Sequence, residues 1–212
     1  MLKQAPVKIL AAFVAVAILA TPLFATTESI SRSELSSRIA SGGGLFDLLA
    51  MIGDGLEGST SELTLSGGLG QSLTSSNFNW QCNREEAFSL NYSRGLLTFI
   101  LGDVRLEAEL SSGPQALYIH AIAEPEKSGL TVIDLRIDGE HLGNSCWTLG
   151  PWGEKILWID TSGLSSGFEL TGTANFAWIG DFPGAQDLSF TLGGTAGGVS
   201  EDKSWSQVKQ LY

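Results

Sequence analysis

Three tryptophans stand where an indole could do binding chemistry. Trp80 lies two residues before Cys82, Trp147 directly follows Cys146, and Trp152 sits in Leu149-Gly150-Pro151-Trp152-Gly153, a turn with little room to bury a ring. A flat apolar indole held in a loop suits stacking on the apolar face of a sugar. If Cys82 and Cys146 pair, Trp80 and Trp147 come together at one end of the fold. Trp80, Trp147 and Trp152 are therefore the candidate ligand-binding residues, and packing against the cystine is their competing role. Trp158, Phe168, Phe176, Trp178 and Phe190 fall at strand positions and read as core.

Catalytic chemistry has weaker support. Gly163-Leu164-Ser165-Ser166-Gly167 matches the G-x-S-x-G nucleophile elbow. That chemistry needs its serine on a strand-to-helix turn, with a histidine and an acid in reach. Here the match lies in a Gly/Ser-rich run between two strand patterns, the composition of a β-turn. The only imidazoles are His120, in phase with Tyr118 and Ile122, and His141, in a hairpin loop after Asp138-Gly139-Glu140. Paired carboxylates would permit glycoside hydrolysis without histidine. Glu107, Glu109, Asp134, Asp138, Glu140, Asp160 and Asp181 are available, mostly in the polar phase of strands or in turns, where solvated carboxylates are expected. No catalytic residue is assigned.

Asp134, Asp138 and Glu140, with carbonyls of the Asp138-Gly139 turn, offer hard oxygen ligands, so calcium is the one cofactor under consideration. No D-x-D-x-D-G loop accompanies them. Asn91-Tyr92-Ser93 is an N-x-S sequon, which makes Asn91 a candidate glycosylation site. Neither cysteine lies in a CxxC or beside a histidine, so zinc and redox catalysis lack support. In an exported chain the expectation is a single Cys82–Cys146 disulfide, with two free thiols as the alternative.

Export is expected from the first 25 residues. Lys3 and Lys8 precede the apolar run Ile9–Ala20, and Thr21 to Ala25 break it before cleavage after Ala25. The run is shorter than the ~20 apolar residues that span a bilayer core. An uncleaved anchor is the alternative. Full-length, the chain has 12 basic and 23 acidic residues. Loss of Lys3 and Lys8 takes the formal charge from −11 to −13. That balance argues against nucleic acid and anionic membranes as partners.

The elements that must position these residues are strands. Val104, Leu106, Ala108 and Leu110 alternate with charged residues; so do Ile133, Leu135 and Ile137. Phe168, Leu170, Gly172, Ala174, Phe176 and Trp178 form the longest such series, and Leu188, Phe190 and Leu192 repeat it. Alternation of this kind means strands with one face in a core. Further strands fit 62–66, 87–93, 96–101, 116–123 and 154–161, separated by turn residues such as Ser93-Arg94-Gly95 and Asp138-Gly139. The expected fold is all-β, an antiparallel β-sandwich with a jelly-roll-like arrangement preferred.

The expected organisation is a signal at 1–25, an N-terminal helical or linker segment at 26–58, the sandwich at 59–193 and a flexible polar tail at 194–212. Ser33 to Ala40 reads as a short helix capped by Ser33. Leu45–Ile52 reads either as an apolar leader packed on the domain edge or as an exposed segment for self-association. Three function classes follow. First is a secreted, non-enzymatic module that binds polysaccharide or another cell-surface component through Trp80, Trp147 and Trp152. Second is a subunit of an extracellular filament or matrix, assembled through Leu45–Ile52. A secreted hydrolase is third.

Overall fold

The computed structural model describes residues 25–52, 63–67, 73–164, 167–181, 183–184 and 187–196. Chain order begins β1 (Thr26–Ile30), α1 (Arg32–Gly42), β2 (Gly44–Met51), β3 (Leu63–Gly67) and β4 (Leu73–Ser76). A meander of β5 (Glu85–Ser93), β6 (Leu96–Leu101) and β7 (Val104–Glu109) follows. Then come β8 (Ala116–Ala123), β9 (Ser128–Ile137), β10 (Glu140–His141), β11 (Cys146–Leu149), β12 (Gly153–Asp160), β13 (Gly167–Trp178) and β14 (Leu188–Thr195). They build two antiparallel sheets. The first runs β1-β12-β8-β14-β2-β3-β4; the second runs β10-β9-β13-β5-β6-β7, with β11 also beside β9.

The two-residue period explains what lies between the sheets. Leu48, Leu65, Ile119 and Phe190 of the first sheet meet Leu90, Phe99, Leu130 and Phe176 of the second, all fully buried. Each such side chain contributes about 1.5–3 kcal/mol relative to exposure. Leu45–Ile52 belongs to this core. As β2 with its following residue, it pairs with β14 on one side and β3 on the other. The exposed self-association segment is thus corrected: Phe46, Leu48, Ala50 and Ile52 fill the domain's own interior. Residues 26–52 supply two strands of the first sheet rather than a separate leader.

Helix α1 explains a second feature of the sequence. Ala116-Leu117-Tyr118-Ile119 is buried on both faces of β8. Its inner face meets the other sheet, while Leu35, with Ile30 and Ile39, packs over Ala116, Tyr118, Ile156 and Trp158 on the outer face. The cap is Ser31 rather than Ser33: its hydroxyl accepts from the Glu34 amide at 3.2 Å. Gly43, at φ +74, ends the helix by donating to the Ile39 carbonyl.

Two departures from simple alternation have local causes. In β9 a bulge at Asp134, φ +52, shifts the register against β13. Val132, Leu135 and Ile137 therefore face the core, and Ile133 falls half-exposed on the other side. In β14, Gly193 and Gly194, at the expected boundary between sandwich and tail, are both paired residues. A Cβ on Gly193 would lie 2.2 Å from the Tyr118 ring, and one on Gly194 2.2 Å from Phe46. One ring crosses the strand on each face, and only glycine leaves room.

The register assigns the connections to two ends. Thr26, Asp160, Ala116, Thr195 and Gly44 line up across the first sheet at one end. The opposite end carries the β4–β5, β6–β7, β8–β9, β11–β12 and β13–β14 connections. The candidate site lies there.

Candidate functional site

β11 sets the first part of the site. Its alternation turns Cys146 and Thr148 inward and leaves Trp147 and Leu149 55% and 63% exposed. Trp147 pairs with Thr131, which pairs across β9 with Asn175, which pairs in turn with Glu85. Leu149 pairs with Gly129, opposite Ala177. Beyond the end of β13, Ile179 is 75% exposed and donates its amide to the Lys127 carbonyl.

The turn that follows β11 projects Trp152, 78% exposed, from a close-packed base. Gly150 donates to the Ser128 carbonyl at 2.9 Å and Trp152 to the Glu124 carbonyl at 3.1 Å. A Cβ on Gly150 would lie 1.7 Å from the Pro125 carbonyl oxygen, and one on Gly153 2.0 Å from that of Leu149. Both glycines are therefore required by backbone approach, and the β8–β9 and β11–β12 turns form one packed unit. Trp152 itself has φ +59. This left-handed conformation is uncommon for a bulky side chain, and residues held in it concentrate at functional surfaces. The result is an exposed apolar surface of Trp147, Leu149, Trp152 and Ile179 on a fixed frame.

At the other margin of the same end lies a cleft of about 580 Å³, bounded by the β4–β5 connection, the start of β5 and the β6–β7 turn. Its lining is polar, including Asn77, Asn79, Arg84, Glu86, Asp103 and Arg105, with the half-buried Phe78 among them. Arg84 pairs with Glu86 at 2.9 Å, and Arg105 donates twice to Glu107, at 2.9 and 2.6 Å.

Trp80 does not join the exposed tryptophans. It is 4% exposed and wedged between the sheets against Phe78, Phe176 and Phe190. The disulfide that would have drawn it toward Trp147 is also corrected, because both cysteines are free. Cys82 lies exposed beside β13, its sulfur 3.2 Å from the Trp178 carbonyl. Cys146 lies inside, against the Ile119 and Lys155 carbonyls. β9 and β13 separate the two, and burial pushes the Cys146 thiol up to about 12.

The calcium set Asp134, Asp138 and Glu140 does not assemble either. Among the described residues no three His, Cys, Asp or Glu side chains gather at metal-holding distance. Asp134 marks the β9 bulge, while the Asp138 carboxylate accepts from the Glu169 amide and fixes a turn. Ser165 lies outside the described residues. His120 bonds to Glu154 at 2.6 Å on the outer face of the first sheet, and His141 Nδ1 accepts from the Gly143 amide. Asp160 accepts from the Ser162 amide. Asn91 is exposed within β5, paired with Thr98 and Glu169.

Sequence reasoning missed Leu149, Ile179 and the cleft. Leu149 shares the outward phase of Trp147, and Ile179 continues the polar phase of β13, Thr171-Thr173-Asn175. An apolar residue in a polar phase is the signal that would have found Ile179, whereas the four residues of β11 are too few to give one for Leu149. The cleft joins three stretches distant in the chain and has no comparable local signal. Among known proteins, no family model and no curated protein matches the chain.

Proposed function

We propose that this chain is an exported, non-enzymatic β-sandwich module that binds polysaccharide at the cell exterior through Trp147 and Trp152. One observation carries this reading: two indoles stand more than half exposed at one end, beside Leu149 and Ile179, on a turn held by backbone contacts. Burying such rings on a sugar face removes apolar surface from water at little entropic cost, because the frame is already fixed. The strands cross repeatedly between sheets from β8 onward, which fits the jelly-roll-like arrangement among sandwiches. β1 starts at Thr26, the residue expected to follow signal cleavage. The filament reading loses its motive, since Leu45–Ile52 is occupied within the core.

The test is retention of the secreted chain on a panel of insoluble polysaccharides. Trp147→Ala and Trp152→Ala should each keep the melting transition and lose most retention. Retention equal to that of the unmodified chain in both variants would remove this surface as the binding site. Light scattering across a concentration series should show a monomer; regular polymers would instead revive assembly.

A further inference from the structure

The cleft at the opposite margin has a lining that selects a ligand class. Arg84 and Arg105 supply two positive charges and Glu86 and Asp103 two negative ones, so the lining is balanced. Both guanidiniums are engaged: Arg84 with Glu86 and with the Gln81 side-chain carbonyl at 3.1 Å, Arg105 with Glu107. Neither stands ready as a free fork for phosphate or carboxylate, and the acidic chain as a whole repels anions. What remains is the exposed amides of Asn77 and Asn79 and the exposed Asp103 carboxylate. Amides donate and accept, and a carboxylate accepts from hydroxyls. Phe78 adds an aromatic wall beneath the β6–β7 turn, where a Cβ on Gly102 would come within 3.4 Å of its ring. The cleft volume, about 580 Å³, falls inside the usual range of small-ligand sites. Donors and acceptors without net charge, beside one aromatic wall, suit an uncharged polyhydroxylated ring.

The sheet register connects this cleft to the exposed tryptophans. Trp147, Thr131, Asn175 and Glu85 lie on four neighbouring strands, β11, β9, β13 and β5, and Glu85 stands between the cleft residues Arg84 and Glu86. Three inter-strand steps to β5 amount to about 14 Å, and two more to β7 make about 24 Å in all, a span that several linked sugar units cross. We propose that the cleft is a second saccharide subsite, which takes a neutral sugar unit of the same chain that stacks on Trp147 and Trp152. This rests on the carbohydrate-binding reading above.

The experiment is titration of the isotopically labelled mature chain with short neutral oligosaccharides of gluco, manno and galacto configuration, and with a uronate oligosaccharide of equal length. Backbone and side-chain amide shifts are followed by NMR. At least one neutral series should move the Asn77 and Asn79 side-chain amides and the Gly102 backbone amide together with the Trp147 and Trp152 indoles. Asp103→Ala and the double variant Asn77→Ala/Asn79→Ala should weaken that ligand about tenfold, the loss expected for a charged or paired hydrogen bond. The folded spectrum of each variant controls for misfolding. Shifts confined to the tryptophans, with affinity unchanged in the cleft variants, would overturn the subsite and leave the binding reading standing. A cleft that moves only with the uronate would overturn its neutral selectivity. No shift with any sugar would overturn both readings.

Discussion

At the scale of single residues, the informative positions are those where the side chain and its surroundings disagree. Trp152 is bulky, exposed and left-handed, so its conformation opposes stability while its ring contributes little packing. Trp152→Gly should therefore raise unfolding stability by up to about 1 kcal/mol, as glycine accepts positive φ without a Cβ clash. The same change should abolish polysaccharide retention. A denaturant titration beside a retention assay checks both, and a destabilised variant would show that the indole is structural. Gly193 presents the opposite case, with no room for even a methyl group under Tyr118. Gly193→Ala should cost about 1–3 kcal/mol as the ring is displaced, and its bond to Asp47 goes with it. Burial raises the Asp47 carboxyl above its ordinary 3.8, against the lowering effect of the Tyr118 hydroxyl. A raised folded value means that the contribution of Asp47 is complete at acid pH and is lost as pH rises through that value. Asp47→Asn, which keeps an acceptor for Tyr118, should thus be more stable than the unmodified chain at neutral pH. The difference should vanish on acidification.

The scale of elements shows what the chain made legible and what it did not. Strands β6 and β8 coincide with their expected limits, and β13 begins one residue early, because the alternation of β13 and the turn residues that flank all three are local signals. β2 escaped such reading because Leu45-Phe46-Asp47-Leu48-Leu49 fits either period, and only its pairing with β14 and β3 makes it a strand. β11 is four residues long and too short to show a period. The exposed surface was half legible: an indole in a Gly-Pro turn announces itself, whereas Trp80 in its own loop resembles it but fills the core. Helix α1 illustrates a tertiary signal no pattern carries. It is fastened by Arg32 and His120, both bonded to Glu154, at 2.7 and 2.6 Å. Desolvation acts to raise Glu154, but hydrogen bonds from Arg32 and His120 outweigh it and hold the carboxyl below its ordinary value. Desolvation lowers His120 despite Glu154. Both signs agree. The Glu154 contribution is present above its ordinary range and lost as pH falls through the depressed value. The folded state also resists protonation of His120, so stability declines as pH drops below the ordinary imidazole value of 6.5. Amide protection factors in α1, in which the intrinsic slowing of exchange toward acid is divided out, should therefore fall between neutral and about pH 5 more than those in β8. An equal fall in both would deny the fastening.

For the whole molecule, the arrangement of ends and thiols decides how it is presented. Cys82 and Cys146 are unpaired, so stability should not depend on reductant, and a maleimide should label Cys82 in the native state and Cys146 only after unfolding. A melting transition lowered by reductant would restore the disulfide. The strand register adds an orientation. Thr26 opens β1 and Thr195 closes β14 in the same row of the first sheet, at the end opposite Trp147, Trp152 and the cleft. Thr26 and Thr195 thus stand at the far end of a sheet whose strand β12 runs 8 residues from the Trp152 turn to that row, a separation of about 26 Å at 3.3 Å per residue. Attachment through either flank would hold the tryptophan surface outward, where a ligand on a neighbouring surface meets it first. The chain coupled to beads at its C-terminus should therefore retain polysaccharide as well as the free chain binds it. A small tag inserted in the β8–β9 turn, beside Trp152, should abolish retention, and the melting transition controls for unfolding, because that turn donates from Glu124 to the Asp187 carbonyl and accepts from the Trp152 and Ile179 amides. Blocked binding on C-terminal coupling, with the inserted variant still active, would place the site at the other end.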